Sequence, residues 1–246
     1  MLHFDHPPLV LAIGAHPDDI ELGAGGLIYR LIKDLNATVH FLIITPGIQN
    51  PREGFAYMPV SRKKEAQTAA RLLGLGEADV EVLDFEDCRL HEVQHKLLKA
   101  MERKLREGER PYDLILSHAG GDTHADHRAV HEATLSAARA FKGSLLLYQA
   151  PSTRPDCFRG TFFVSLDEKA LTQKDLAIQA HASQRDRAEF LKLVVTEGMA
   201  KSWAFFLRLP HEHFEAFEVH KSFWLPVTPR HPDVASRDAG ATKPNP

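Results

Sequence analysis

The stretch Leu9 to Gly26, LVLAIGAHPDDIELGAGG, constrains this 246-residue chain more than any other. It begins with a continuous apolar run, Leu9 to Ala15, of the length expected for a strand buried on both faces. The run stops at His16-Pro17-Asp18-Asp19, and Glu21 and the glycines Gly23, Gly25 and Gly26 follow. Leu27, Ile28, Leu31, Ile32 and Leu35 then recur at helical spacing. An imidazole and three carboxylates therefore occupy the turn between a first strand and a first helix. In an open α/β sheet such turns lie at the carboxyl ends of the strands, where ligands bind. Pro17 restricts the backbone of His16 before it, so the turn can present its side chains in a fixed arrangement. The chemistry of the set points to a metal site.

The rest of the chain repeats the pattern. Thr38 to Thr45 reads as a second buried strand, and Pro46 to Pro59 as a loop long enough to be functional. Ser61 is the expected N-cap of a helix running through Ala66, Ala69 and Leu72 to Gly74. Val80 to Phe85 and Asp113 to Ser117 are the next strands, with a helix over Glu92 to Glu107 between them. A second polar burst follows at His118, Asp122, Thr123, His124, Asp126 and His127, with Thr123 as expected cap of a helix continuing to Phe141. Strand, polar turn and helix in repetition predict a βαβ architecture with a mostly parallel sheet and both bursts at one sheet edge. Ser144 to Gln149 and Thr161 to Val164 are further strands. Helices are expected over Lys169 to Ala182 and Arg187 to Met199, and a last strand, Phe214 to Val219, at the sheet edge. Residues 1–225 read as a single domain, and the proline-rich residues 226–246 as a flexible tail.

Composition narrows the classes of function. A net charge of −3 gives no electrostatic case for nucleic acid or an anionic membrane. No apolar run is long enough to span a bilayer, and MLHFDHPP lacks the basic and apolar regions of a signal peptide. Cys88 and Cys157 have no CxxC spacing and read as free thiols of a cytoplasmic protein. A hydrophobic content of 43% is ample for a packed core.

The two bursts together carry the chemistry. His124, His127 and His131 fall on one helical face, opposite the His16 turn. Catalytic zinc sites take three His or carboxylate ligands and leave a position open; His16, Asp19 and His127 supply such a set. Asp18 then remains as a general base. His124 is available to stabilise an oxyanion, with Asp126 orienting it through its other ring nitrogen. Other readings compete. Asp18 and Asp126 are also suited to capping helices. The glycines do not follow GxGxxG spacing and read as close backbone packing. His118 and Asp122 keep a two-metal phosphoesterase in view, and a non-catalytic metal- or nucleotide-binding module would leave Asp18 and His124 idle. Trp203, Phe205 and Phe206 read as packing residues or as an aromatic wall for a sugar ring.

HPDDIELGAGG, then Arg62 with Glu65 in RKKE, HADH at His124 to His127 and HASQ at His181 to Gln184 together resemble the LmbE-like family. That family includes the PIG-L deacetylases and the mycothiol and bacillithiol pathway deacetylases. The resemblance runs in order over residues 9–185. It implies a Rossmann-like three-layer α/β sandwich with one zinc ion that hydrolyses the acetamide of an N-acetylglucosamine conjugate or a related amide; a set of two His and one Asp would equally take iron(II) in the cell. By motif position it implies His16, Asp19 and His127 as ligands, Asp18 as base, and His124 assisting the tetrahedral intermediate with Asp126 behind it. Arg62 and Glu65 match residues near the substrate, His181 and Ser183-Gln184 a late motif of the substrate pocket or its structural support, and a homo-oligomer is implied. Family members often carry Gly-Glu after the second strand, where this chain has Gly47-Ile48; Arg52 and Glu53 follow in the same loop.

Overall fold

The computed structural model describes residues 4–48, 59–184, 191, 193–209 and 212–222. Strands β1 (Leu9–Gly14), β2 (Thr38–Ile43), β3 (Val80–Val82), β4 (Leu114–His118) and β5 (Ser144–Tyr148) alternate with helices α1 (Asp19–Leu35), α2 (Pro59–Leu73), α3 (Gln94–Arg106) and α4 (Ala125–Ala137). Then come β6 (Phe162–Leu166), α5 (Glu168–Gln179), a π-helical stretch Leu193–Met199 leading into α6 (Ala200–Phe206), and β7 (His213–Lys221). They form one seven-stranded sheet in the order β3-β2-β1-β4-β5-β7-β6. The first five strands are parallel, and β7 runs antiparallel to both its neighbours.

Alternation along each strand divides the core into two layers. Val10, Ala12, Phe41, Leu114 and Leu146 face α1, α2 and α5. Leu11, Ile13, Leu42, Ile115 and Leu145 face α3 and α4. Leu11, Ile13, Ile20 and Ile28 are each at most 1% exposed, and burying side chains of this size contributes about 1.5–3 kcal/mol apiece. The glycines of α1 permit the helix to lie close on the sheet. A Cβ at Gly23 would stand 2.1 Å from the Tyr148 ring, and one at Gly26 2.5 Å from Leu166. The same helix is fastened by Glu215 of β7, which accepts the N–H groups of Gly26 (2.8 Å) and Leu27 (2.7 Å) and pairs with buried Lys174.

Several expectations are corrected. β7 is not an edge strand: it pairs with β5 and β6, and β6 takes the edge. α2 begins at Pro59, a favourable first helical residue, so Ser61 lies inside it. The cap of α4 is His124, whose side chain accepts the Asp126 N–H. Thr123 bonds instead to the Ser152 carbonyl. β3 stops at Val82, and a 3-10 turn, Leu90–Val93, precedes α3. Arg52, most of the 46–59 loop, the first part of the expected 187–199 helix and the 226–246 tail lie outside the described residues.

β2 and β4 flank β1 on opposite sides, so the chain reverses its strand order between β1 and β4. The turns after these two strands carry the two polar bursts, at the switch point where α/β sheets bind ligands.

Candidate metal centre

The turn after β1 folds on itself. The Asp19 carboxylate accepts the backbone N–H of His16 at 2.7 Å, and the same Oδ2 stands 3.4 Å from His16 Nδ1. Its Oδ1 lies 3.2 Å from His127 Nε2 on α4, and its Oδ2 3.3 Å from His118 Nε2 at the end of β4. Around Asp19 the rings of His16, His124, His127 and His118 pack at centroid distances of 4.1 to 5.5 Å. Asp18 sits at the N-terminus of α1 with φ 116° and makes no capping hydrogen bond through its side chain. A non-glycine residue in this left-handed region carries strain of about 1–3 kcal/mol. The strained turn is gripped from outside by Arg62, whose guanidinium donates to the carbonyls of Pro17 (2.7 Å) and Gly47 (3.1 Å).

The donor set fits a metal ion. Ligands about 2.1 Å from a tetrahedral ion stand about 3.4 Å from one another, and Asp19 meets His16 through Oδ2 at 3.4 Å and His127 through Oδ1 at 3.2 Å. Among the described residues two His/Asp triads have suitable spacing, His16–His124–His127 and Asp19–His118–His127. Both contain His127; the expected set His16, Asp19 and His127 draws on both triads and is neither of them. His118 Nε2 is also engaged by the Ala15 N–H at 3.1 Å, which competes with any ligand role.

Electrostatics follow from this crowding. Burial disfavours a charged His127, but the Asp19 carboxylate and the hydrogen bond to Asp122 outweigh it and push the imidazole up to about 9. His16 is likewise raised against its burial, by Asp126 and Asp19. Asp19 is held well below the usual carboxylate range, since His127 and His118 overcome its burial. His118 is pushed down to about 4 by burial and by the neighbouring His127. Burial and the positive rings of His16 and His127 also lower His124. Asp18 moves upward because it is buried, with Arg62 at 3.9 Å opposing.

The first turn of α4 selects the tautomer of a neutral His124. Its Nδ1 accepts the Asp126 N–H at 3.2 Å, so its proton belongs on Nε2. Asp126 does not stand behind it. The Asp126 carboxylate accepts from His16 Nε2 (3.1 Å) and from the N–H groups of Cys88 (2.6 Å) and Leu90 (3.2 Å). Residues two apart on a helix do not face each other, which is why the orienting partner expected for His124 serves His16 instead.

The residues expected at the substrate turn inward. Arg62 is 2% exposed, and besides the two carbonyls it meets Glu65 (3.3 Å) and Ser183 (2.9 Å). Glu65 in turn accepts the Ser183 N–H and hydroxyl at 2.8 and 2.6 Å. His181 is buried against Glu21 at 3.1 Å. These groups brace the His16–Asp19 turn rather than opening onto a cleft. Sequence reasoning gave Asp122 and His118 only a part in the rival two-metal site. It missed Ser152 and Thr153, whose loop after β5 carries no motif.

The model of the family described as PIG-L, GlcNAc-PI de-N-acetylase, matches residues 11–138. The chain belongs to the PIG-L family. Its PIG-L segment contains both polar bursts and every side chain of the two triads. Among curated proteins, the uncharacterized deacetylase YaiS of Escherichia coli (strain K12) is 32% identical over 178 residues, covering 71% of this chain and 90% of YaiS. Solved structures that share the fold at a TM-score of 0.68 include a deacetylase and a hydratase. The N,N'-diacetylchitobiose deacetylase of Pyrococcus horikoshii is 22% identical, with 86% of this chain and 83% of that one covered. GalB, the 4-carboxy-2-hydroxymuconate hydratase of Pseudomonas putida, is 18% identical, with 90% and 99% covered. The fold therefore hosts more than one reaction, and function has to be argued from the site. Among the described residues no helix is long and apolar enough to cross a membrane.

Proposed function

We propose that this PIG-L chain is a metal-dependent N-deacetylase that hydrolyses the acetamide of an N-acetylglucosamine conjugate or a related amide. The observation that carries the reading is the junction at Asp19, which faces His16 and His127 from one carboxylate while the adjacent Asp18 caps nothing. His16, Asp19 and His127 would hold a zinc or iron(II) ion, and such an ion supplies the Lewis acidity that lets water attack an amide near neutral pH.

The remaining steps belong to the chain. Asp18 takes the proton of the attacking water, and its burial, by raising the carboxyl, suits it to hand that proton on. His124 offers Nε2–H to the oxygen that becomes negative as the acetamide carbon turns tetrahedral. A neutral donor serves this purpose without competing with the metal for charge. When the C–N bond breaks, the protonated Asp18 delivers its proton to the departing amine, and acetate is the second product. Arg62 keeps the turn in register by holding the Pro17 carbonyl beside Asp18.

The deacetylase relative and the site support hydrolysis over the hydratase chemistry of the more distant GalB. Acetate release from N-acetylglucosamine conjugates by the metal-loaded protein tests the reading, with Asp18→Ala as control. Metal bound at one ion per chain with acetate release is the expected result. A protein that takes up no zinc or iron(II), or two ions per chain, overturns it.

A further inference from the structure

We propose that Asp122 is a positioning residue that fixes His127 as an Nε2 metal donor, an inference that rests on the metal-dependent reading above. Asp122 is 3% exposed, and its Oδ2 lies 3.1 Å from His127 Nδ1. A carboxylate can only accept, so the proton of the neutral imidazole is drawn to Nδ1. The lone pair is then left on Nε2, the nitrogen that faces Asp19. His16 is arranged the other way round: Asp126 takes its Nε2–H, and Nδ1 faces Asp19. Each of the two imidazoles has its own carboxylate, and the two carboxylates select opposite nitrogens.

Asp122 is itself held in place. Its Oδ1 accepts the His124 N–H at 2.7 Å, and its Oδ2 accepts the Thr153 hydroxyl at 3.1 Å. The Thr153 oxygen already accepts the Ala150 N–H at 2.9 Å, which commits its proton to Asp122. Backbone bonds from Thr123 N–H to the Ser152 carbonyl (3.1 Å) and from Arg154 N–H to the Gly121 carbonyl (2.8 Å) lock the two loops together. Both oxygens of Asp122 are acceptors, so an asparagine there must turn its amide N–H toward one of these donors. Toward His127, the amide would draw the proton to Nε2 and block the donor; toward His124, it would meet a backbone N–H.

The test measures zinc affinity of the full chain by competition with a chromogenic chelator, in wild type, Asp122→Asn, His127→Ala and the double variant. Asp122→Asn is expected to weaken zinc binding about 10- to 100-fold. It should add no further loss in the His127→Ala background. In the zinc-loaded wild type, imidazole nitrogen NMR should find His127 protonated at Nδ1. Thr153→Val, which leaves the carboxylate in place, should give a smaller loss in the same direction and serves if Asp122→Asn does not fold. Zinc affinity unchanged in Asp122→Asn, or in Thr153→Val where only that variant folds, overturns the proposal. So does an equal loss with and without His127, since that marks a purely structural role. A wild type that binds no zinc overturns the metal-dependent reading itself.

Discussion

Nε2 of His16 stands 3.1 Å from Oδ2 of Asp126, across 110 residues of sequence, and this contact joins the turn after β1 to the first turn of α4. The same carboxylate gathers the N–H groups of Cys88 and Leu90, so three segments meet on it. Removing it leaves three donors unmatched in a buried place. Asp126→Ala is therefore expected to cost about 3 kcal/mol of stability, and to weaken metal binding through a His16 ring no longer held. Urea unfolding of the metal-free protein measures the first effect. A loss below about 1 kcal/mol, the value of one ordinary exposed contact, would mean the junction is not a structural one.

Asp18 combines backbone strain with the proposed role of general base. Its φ of 116° suits glycine better than any residue with a Cβ. Asp18→Ala should retain metal and reduce turnover by about two orders of magnitude or more. Asp18→Gly should be equally inactive yet more stable than Asp18→Ala by about 1 kcal/mol. Thermal unfolding of the two variants side by side isolates the backbone contribution; equal midpoints would remove strain from the account.

Gly23 is a packing residue, because a Cβ there would meet the Tyr148 ring at 2.1 Å. The ring cannot move freely, since its hydroxyl donates to the Ile13 carbonyl at 2.8 Å. Gly23→Ala is expected to destabilise the fold by about 1–3 kcal/mol through overpacking. Denaturant midpoints test this, and a neutral effect would show that α1 can lift from the sheet at little cost.

His40 is expected to give the stability a pH dependence, remote from the candidate metal centre. Its Nδ1 lies 2.9 Å from the Tyr112 hydroxyl, and burial pushes that phenol up to about 12. The phenol therefore stays a donor, which suits a neutral ring. Burial lowers the His40 pKa, Asp79 opposes this and Lys104 reinforces it. The unfolded chain then binds a proton more readily than the folded one. The contribution of this group is present in full above about pH 6.5, the unfolded value, and is lost as pH falls below it. Unfolding free energies between pH 5 and 7.5 should rise less steeply with pH in His40→Gln than in wild type. Identical slopes would exclude a role for this pair.

Hydrophobic patterning and side-chain chemistry are local properties, and they determined a great deal here. The βαβ order, the strands from Leu9, Thr38, Leu114 and Ser144, and the two polar bursts at strand ends were all legible from residues close in the chain. So was the convergence of His16, Asp19 and His127, because parallel strands bring every such turn to one edge of the sheet. What the tertiary structure alone decided is which groups face which. Asp126 turns to His16 and not to His124 because a helix separates positions two apart. Asp122 meets His127 because the loop after β5 pins it through Thr153. Arg62, Glu65 and His181 close on the back of the His16–Asp19 turn, and β7 enters the sheet rather than ending it. These are contacts between segments far apart in sequence, set by how loops pack on a finished sheet, and no periodicity or spacing within a single segment encodes them.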